Sequence, residues 1–251
     1  MPHGRLIAPA AAGVATRRAW LRRQALLLAL AAIALLLTFE TTRLDLRLAA
    51  PLFDPASGEF PLRRHWFFNA FMHDQLKLVA TGGAVAVLGL CALGMRGRLA
   101  WLPPRGARLA AIGMLLIPAA TSALKHLTNR HCPWDVIEFG GFAPYVGLLQ
   151  LPAGDIAPGA CFPAGHASLG FLWLIWAVAL RATSVRAARI AGALAAAFGL
   201  ILGVGQMLRG AHFLSHTLWS LWLAWAICIA LAAALPTRST GRGPTPPPAR
   251  T

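Results

Sequence analysis

The sequence predicts an all-α, polytopic membrane protein built as a six-transmembrane-helix bundle. Composition is the first reason. Of 251 residues, 57% are hydrophobic and only 12% charged, and the mean hydropathy is positive. Soluble domains average about 25% charged residues. Spacing is the second reason. A hydrocarbon core of about 30 Å needs roughly 20 apolar residues of helix. The chain offers six such runs, near 21–40, 76–95, 108–125, 165–182, 188–207 and 216–235. The third reason is the lack of alternating apolar and polar positions, which disfavours a membrane β-barrel.

The first run follows a basic start, as a signal peptide would. However, Thr38-Phe39-Glu40-Thr41 offers no small-residue cleavage site, so the run is predicted to stay as a span. Gly82 and Gly83 in the second run, and Gly192 and Gly199 in the fifth, are small residues of the kind that lets helices approach closely. A short arginine-rich loop separates the fourth run from the fifth. Cys91 and Cys228 fall inside spans, where cysteine packs as a small hydrophobe. There is one domain, 21–235, and no internal repeat. Residues 1–20 and 236–251 read as cytoplasmic tails. The second of these is rich in Pro, Gly and Thr and is predicted to be disordered.

Orientation follows from the arginines. With both termini on one side, that side receives 15 Lys and Arg in four segments: Arg5, Arg17, Arg18, Arg22 and Arg23; Arg96, Arg98, Arg105 and Arg108; Arg181, Arg186 and Arg189; Arg238, Arg242 and Arg250. The other side receives the remaining eight bases and all eight acids. The positive-inside rule makes the first side cytoplasmic. The net charge of +15 therefore belongs to loops between spans, which argues against nucleic acid as a partner. The outer loops are then about 41–75, 126–164 and 207–215. The first carries the aromatic stretch Trp66 to Phe71, suited to the headgroup level or to a cap over a site. The second is the longest and holds Gly140-Gly141 and the acids Asp135, Glu138 and Asp155. It also holds Cys132 and Cys161, in a compartment that permits disulfides. A bridge would tie two parts of this loop together; the alternative is two free thiols.

Three polar clusters share this outward face. The first runs from Lys125 to Asp135 and contains His126, Arg130, His131 and Cys132. The second is Cys161-Phe162-Pro163-Ala164-Gly165-His166-Ala167-Ser168. The third runs from Gln206 to His216 and contains Arg209, Gly210 and His212. Their order and placement resemble the type 2 phosphatidic acid phosphatase superfamily, integral membrane lipid phosphatases related in site design to vanadium haloperoxidases. That family's pattern is Lys, six residues, Arg-Pro; then Pro-Ser-Gly-His; then Ser-Arg, five residues, His, three residues, Asp. Lys125, Pro133, Pro163, Gly165, His166 and His212 fit it. Ala164 replaces the Ser, Cys132 and Gln206 occupy the two Arg positions, and His216 stands where the family has Asp.

The resemblance implies a metal-independent lipid phosphatase or pyrophosphatase with no cofactor. It would act at the outer leaflet, most naturally facing the periplasm from a bacterial inner membrane. Its lipid classes include undecaprenyl pyrophosphate, phosphatidylglycerol phosphate, phosphatidic acid and lipid A phosphates. It implies His212 as the nucleophile, forming a phosphohistidine, and His166 as the acid.

The chemistry suits these residue types. A phosphate monoester carries nearly two negative charges, which catalysis must hold and redistribute. Lys125, Arg130 and Arg209 supply cations; alone, each would be read as snorkelling to the interface. Pro163 to His166 are predicted to open the fourth span, where the free amides of Ala164 and Gly165 face an anion. Neutral imidazole can attack phosphorus, and a protonated one can release the leaving alcohol. His216, one turn from His212, or Asp135 from the loop, is a candidate to orient the nucleophile.

Three alternatives stand beside this reading. One is a lipid phosphotransferase using the same histidines. Another is an inactive lipid-phosphate binder, which the substitutions at Cys132, Gln206 and His216 would suit. The third is a metal site on the His212–His216 pair, which lacks the Glu of a His-Glu-x-x-His motif. Oligomeric state is not legible.

Overall fold

Among the residues that the computed structural model describes, 8–151 and 154–235, there is no strand, only helices, loops and two isolated bridges. Apolar runs rich in Ala and Leu must satisfy every backbone group internally in a bilayer, and a helix does so. The first helix, α1 (Ala8–Thr41), begins inside the basic segment predicted as a tail. A short α2 (Leu44–Ala49) follows. The third, α3 (Leu76–Met95), is entered through a wide π-type segment, Phe67–Gln75. Helix α4 (Pro104–Thr128) has proline in its first turn, where the missing N–H costs nothing. It stops at Asn129, which takes the left-handed conformation at φ 51°. Then come α5 (Gly165–Phe171), a 3₁₀ turn (Leu172–Ile175), α6 (Trp176–Ala179), α7 (Val185–Leu208) and α8 (Leu214–Ala234). Ser184 caps α7 by accepting a 3.1 Å hydrogen bond from the Ala187 N–H.

Among the described residues, five helical stretches are long and apolar enough to cross a membrane: Ala15–Thr41, Phe67–Met95, Pro104–Asp135, Val185–Leu208 and Leu214–Ala234. The protein is an integral membrane protein. The run predicted over 165–182 is shorter, Gly165–Ala179. Its three segments reach about 25 Å, and the chain turns before Arg181. It is also the most enclosed part of the array, packed against α4, α7 and α8. The predicted C-terminal tail lies outside the described residues.

The core lies where α4, α5, α6, α7 and α8 meet, around Ile117, Phe171 and Ile175. Glycine sets its tightest contact. A Cβ at Gly170 would fall 2.4 Å from the Gly199 Cα, and one at Gly199 would fall 2.1 Å from the Phe171 ring. Gly192 meets Ala177 more loosely, at 3.0 Å. Gly82 and Gly83 do not do what the sequence suggested. A Cβ at either would meet nothing within 4 Å: Gly82 is exposed, and Gly83 lines an open apolar groove between α3 and α7.

At one end of the array, arginines cap α8. Arg105 Nε donates to the Leu235 carbonyl at 2.9 Å, and the Arg17 guanidinium donates to the Ala232 carbonyl. Cations are favoured at a helix C-terminus. At the other end the loops gather around a second, smaller core of Leu46, Phe60, Val136, Phe139 and Phe213.

Candidate active site

The three polar clusters, well separated along the chain, meet at this loop end. The Trp134 N–H donates to the Gly210 carbonyl at 3.1 Å, joining the first cluster to the third. The Cys161 N–H donates to the Arg130 carbonyl at 2.8 Å, and the Ala164 N–H to the His216 carbonyl at 3.3 Å. Thr128 Oγ1 donates to the Phe162 carbonyl at 2.7 Å. Cys132 and Cys161 are joined in a disulfide, Cα to Cα 5.3 Å. Between Arg209 and His212 the chain reverses at Gly210, which has φ 72° and would drive a Cβ to 2.4 Å from the Phe60 ring. Only glycine fits there.

His212 and His216 are both buried, their ring centroids 5.7 Å apart. His212 Nδ1 faces Cys161 Sγ at 3.3 Å. Burial above all, then His216, Lys125 and His166, push the His212 pKa well below its ordinary value of 6.5, while a backbone hydrogen bond to Cys161 acts the other way. The imidazole is therefore neutral at neutral pH. His216 is boxed in by Phe162 and Phe213, at 5.3 and 5.4 Å. Its Nδ1 is buried with no hydrogen-bond partner among the described residues.

Among the cations, Lys125 is close enough to His212 to lower its pKa. Its Nζ donates to the Ala160 carbonyl at 3.3 Å and lies 3.3 Å from where a Gly165 Cβ would sit. Arg130 is turned into the protein. Its guanidinium donates to the carbonyls of Thr128 (3.1 Å), Leu148 (2.9 Å) and Gln150 (2.6 Å). Arg209 donates to the Arg63 carbonyl (3.2 Å), Gln206 Oε1 (3.2 Å) and Asn69 Oδ1 (2.6 Å). Each therefore spends three donor contacts on the protein out of five guanidinium N–H groups. The Ala164 amide is likewise spent, on the His216 carbonyl. Asp135 is not brought to the histidines by any hydrogen bond: its carboxylate accepts from the Cys132 N–H at 3.3 Å, closing its own turn.

Several residues that hold the site were not singled out from the sequence. Asp45 of α2, buried, accepts from the Ser215 N–H at 3.0 Å, from the Ser215 hydroxyl, and from Tyr145 Oη at 3.2 Å. Glu40 accepts from the Leu148 N–H. Asn69 lies in the aromatic stretch Trp66 to Phe71, which continues into α3 and packs Met72 on Gly205 of α7. That stretch is thus both a helix entry and a support for Arg209. The only available signals were an acid at the end of the first span, Glu40, and another just past it, Asp45.

The family model of the PAP2 superfamily matches residues 106–239, more than half of the chain. The chain belongs to the PAP2 superfamily. The match takes in all three clusters but not α1, α2, Glu40, Asp45 or Asn69. No curated protein and no solved structure matches the chain. Membership in the PAP2 superfamily, the type 2 phosphatidic acid phosphatases, suggests phosphatase activity on phosphate esters.

A neutral, buried imidazole beside a lysine and a second histidine has the makings of a phosphoryl-transfer centre. The same place holds a further donor set. Ligating atoms of Cys161, His212 and His216 all lie within 4.8 Å of one another, although the disulfide occupies the Cys161 sulfur.

Proposed function

We propose that this protein is a membrane lipid phosphatase or pyrophosphatase that works through a phosphohistidine on His212. The convergence of Lys125, Gly165, His166 and His212 at one end of the PAP2-matched helices carries the reading. Lys125 neutralises the arriving phosphate. His212, its Nδ1 turned to Cys161 Sγ, presents Nε2 to phosphorus. The P–N bond forms as the P–O bond to the lipid breaks, and His166 gives its proton to the departing oxygen. Water then attacks the phosphohistidine, His166 takes that proton back, and inorganic phosphate leaves.

In this reading Gly165–Ala179 is the short, central member of the six-helix bundle. The loop end faces outward, to the periplasm of a bacterial inner membrane, as the arginine bias implies. An apolar groove of about 740 Å³, lined by Leu76, Val79, Trp173, Trp176 and Phe198 among others, would accommodate an acyl or prenyl chain. His216 positions His212 by ring contact in place of a carboxylate.

One observation favours a second reading, a catalytically inactive lipid-phosphate binder: Arg130 and Arg209 spend much of their donor capacity on protein acceptors. Phosphate release from a panel of lipid phosphates and diphosphates, with chelator present, separates the readings. The phosphatase reading expects release by the wild type and none by His212→Ala. Binding without release favours the binder, and a phosphorylated lipid in place of inorganic phosphate favours a phosphotransferase.

A further inference from the structure

Cys161 lies at the hinge of the candidate site and has two different partners within reach. Through its sulfur it is bonded to Cys132. That same sulfur is 3.3 Å from His212 Nδ1. His216 adds a ring nitrogen, so that the three ligating atoms lie within 4.8 Å of one another and all three residues are buried. In a tetrahedral zinc site, sulfur and nitrogen ligands of one ion sit about 3.5 Å apart. Cys161 and His212 already have that separation. His216 Nδ1 is buried with no hydrogen-bond partner among the described residues, which between two phenylalanine rings is costly unless something takes it up.

We propose that Cys161, His212 and His216 form a site for a thiophilic divalent cation of the zinc class, available only when a dithiol reductant opens the Cys132–Cys161 bridge. The disulfide sulfur is no ligand of consequence; the thiolate is. Reduction breaks the S–S bond, takes up two electrons and two protons, and converts the reductant's two thiols to its own disulfide. Two thiols result, on Cys132 and Cys161. On cation binding the Cys161 thiol passes its proton to solvent and the sulfur joins two neutral imidazoles. The Lys125 ammonium nearby opposes the cation; thiolate charge offsets it. A cation on His212 Nδ1 leaves the ring's one proton on Nε2, so that nitrogen has no lone pair with which to attack phosphorus. The bridge thus keeps the nucleophile free in an oxidising compartment, and its loss exposes the site to inhibition by metal. The inhibition rests on the phosphatase reading above; the binding does not.

The test uses the full chain in detergent and Co²⁺ as the probe. A thiolate-to-cobalt charge-transfer absorption at one equivalent is expected for the reduced wild type and for Cys132→Ser, which leaves Cys161 free without reductant. The band is expected to be absent from the oxidised wild type, and lost from Cys132→Ser/Cys161→Ser and from the reduced His216→Ala protein. If Cys132→Ser fails to fold, the reduced wild type carries the comparison. A band that persists without Cys161, or no band in any reduced sample, overturns the proposal. In parallel, Zn²⁺ is expected to abolish phosphate release by the reduced protein only, with recovery on chelation. A cobalt band from a protein that never releases phosphate would keep the metal site and remove the phosphatase reading.

Discussion

The Asp45 carboxylate accepts hydrogen bonds from both the backbone N–H and the hydroxyl of Ser215, the residue beside His216. An acid on α2 thereby supports the first turn of α8, where unpaired N–H groups and the helix dipole favour a negative charge. That turn carries His216 and follows His212. Asp45 lies outside the PAP2-matched stretch, so this part of the site is built by the chain's own N-terminal segment.

Asp45→Ala is expected to cost about 1–3 kcal/mol, the penalty for stranding buried partners, and Asp45→Asn less. The pH dependence has a definite sign. Burial raises the Asp45 pKa above its ordinary 3.8, against the lowering effect of Ser215 and Tyr145. A group whose folded pKa is raised gives its full stabilisation below the unfolded value and loses it as pH rises through the folded one. The stability gap between wild type and Asp45→Asn should therefore narrow, or reverse, from acid to neutral pH. Unfolding curves in detergent across that range check this; a gap that widens with pH would refute it.

His212 predicts the acid limb of the rate profile. Burial, then His216, Lys125 and His166, hold its pKa well below 6.5, and only the neutral ring is a nucleophile. The kcat/KM profile of the free enzyme should stay level as pH falls through 6.5 and break only below it. Replacing Lys125 with Met removes one lowering influence and should move the break to higher pH, along with any loss of rate. A break above 6.5 in the wild type would mean that the ring governing activity is not the buried His212.

The apolar runs alone located α3, α4, α7 and α8 closely, because a bilayer-spanning helix must be apolar for about 20 residues whatever it packs against. Two boundaries were not legible. Asn69, Asp74 and Gln75 break the apolar pattern before Leu76, yet helix continues through them because Asn69 is held by Arg209 and Met72 by Gly205. The run at 165–182 reads as a full span, yet stops at Ala179. The motif spacing marked Lys125, Gly165, His166 and His212. It could not show that Arg130 and Arg209 turn toward backbone carbonyls, because residue type gives a cation's charge and not its direction. Asp45 was invisible for a similar reason: its partner Ser215 is 170 residues away.

Arg130 and Lys125 should separate in kind. Arg130→Lys keeps a charge but loses the fork that holds the Thr128, Leu148 and Gln150 carbonyls. A loss of about 1–3 kcal/mol of stability is expected. Lys125→Ala, which removes one 3.3 Å hydrogen bond to the Ala160 carbonyl, should leave unfolding nearly unchanged and lower turnover. Paired unfolding and turnover measurements decide it; equal destabilisation by both would show that Lys125 is also a structural tie.

The α5–α7 crossing offers a test of packing. Gly170→Ala pushes a methyl against the Gly199 backbone and should cost about 1–3 kcal/mol by overpacking. Gly82→Ala, which meets nothing within 4 Å, should be neutral or slightly stabilising in the same thermal assay. The reverse order would mean that α3 is covered and the α5–α7 contact is not.

The central claim is that phosphorus bonds to His212. Its most direct test is to mix the protein with a ³²P-labelled lipid phosphate, quench in base to preserve phosphohistidine, and map the label. The account predicts radioactivity on the peptide carrying His212, accumulating when His166 is replaced by Ala if return of the proton limits hydrolysis, and none in His212→Ala. Steady phosphate release from His212→Ala, or label on another residue, would contradict it.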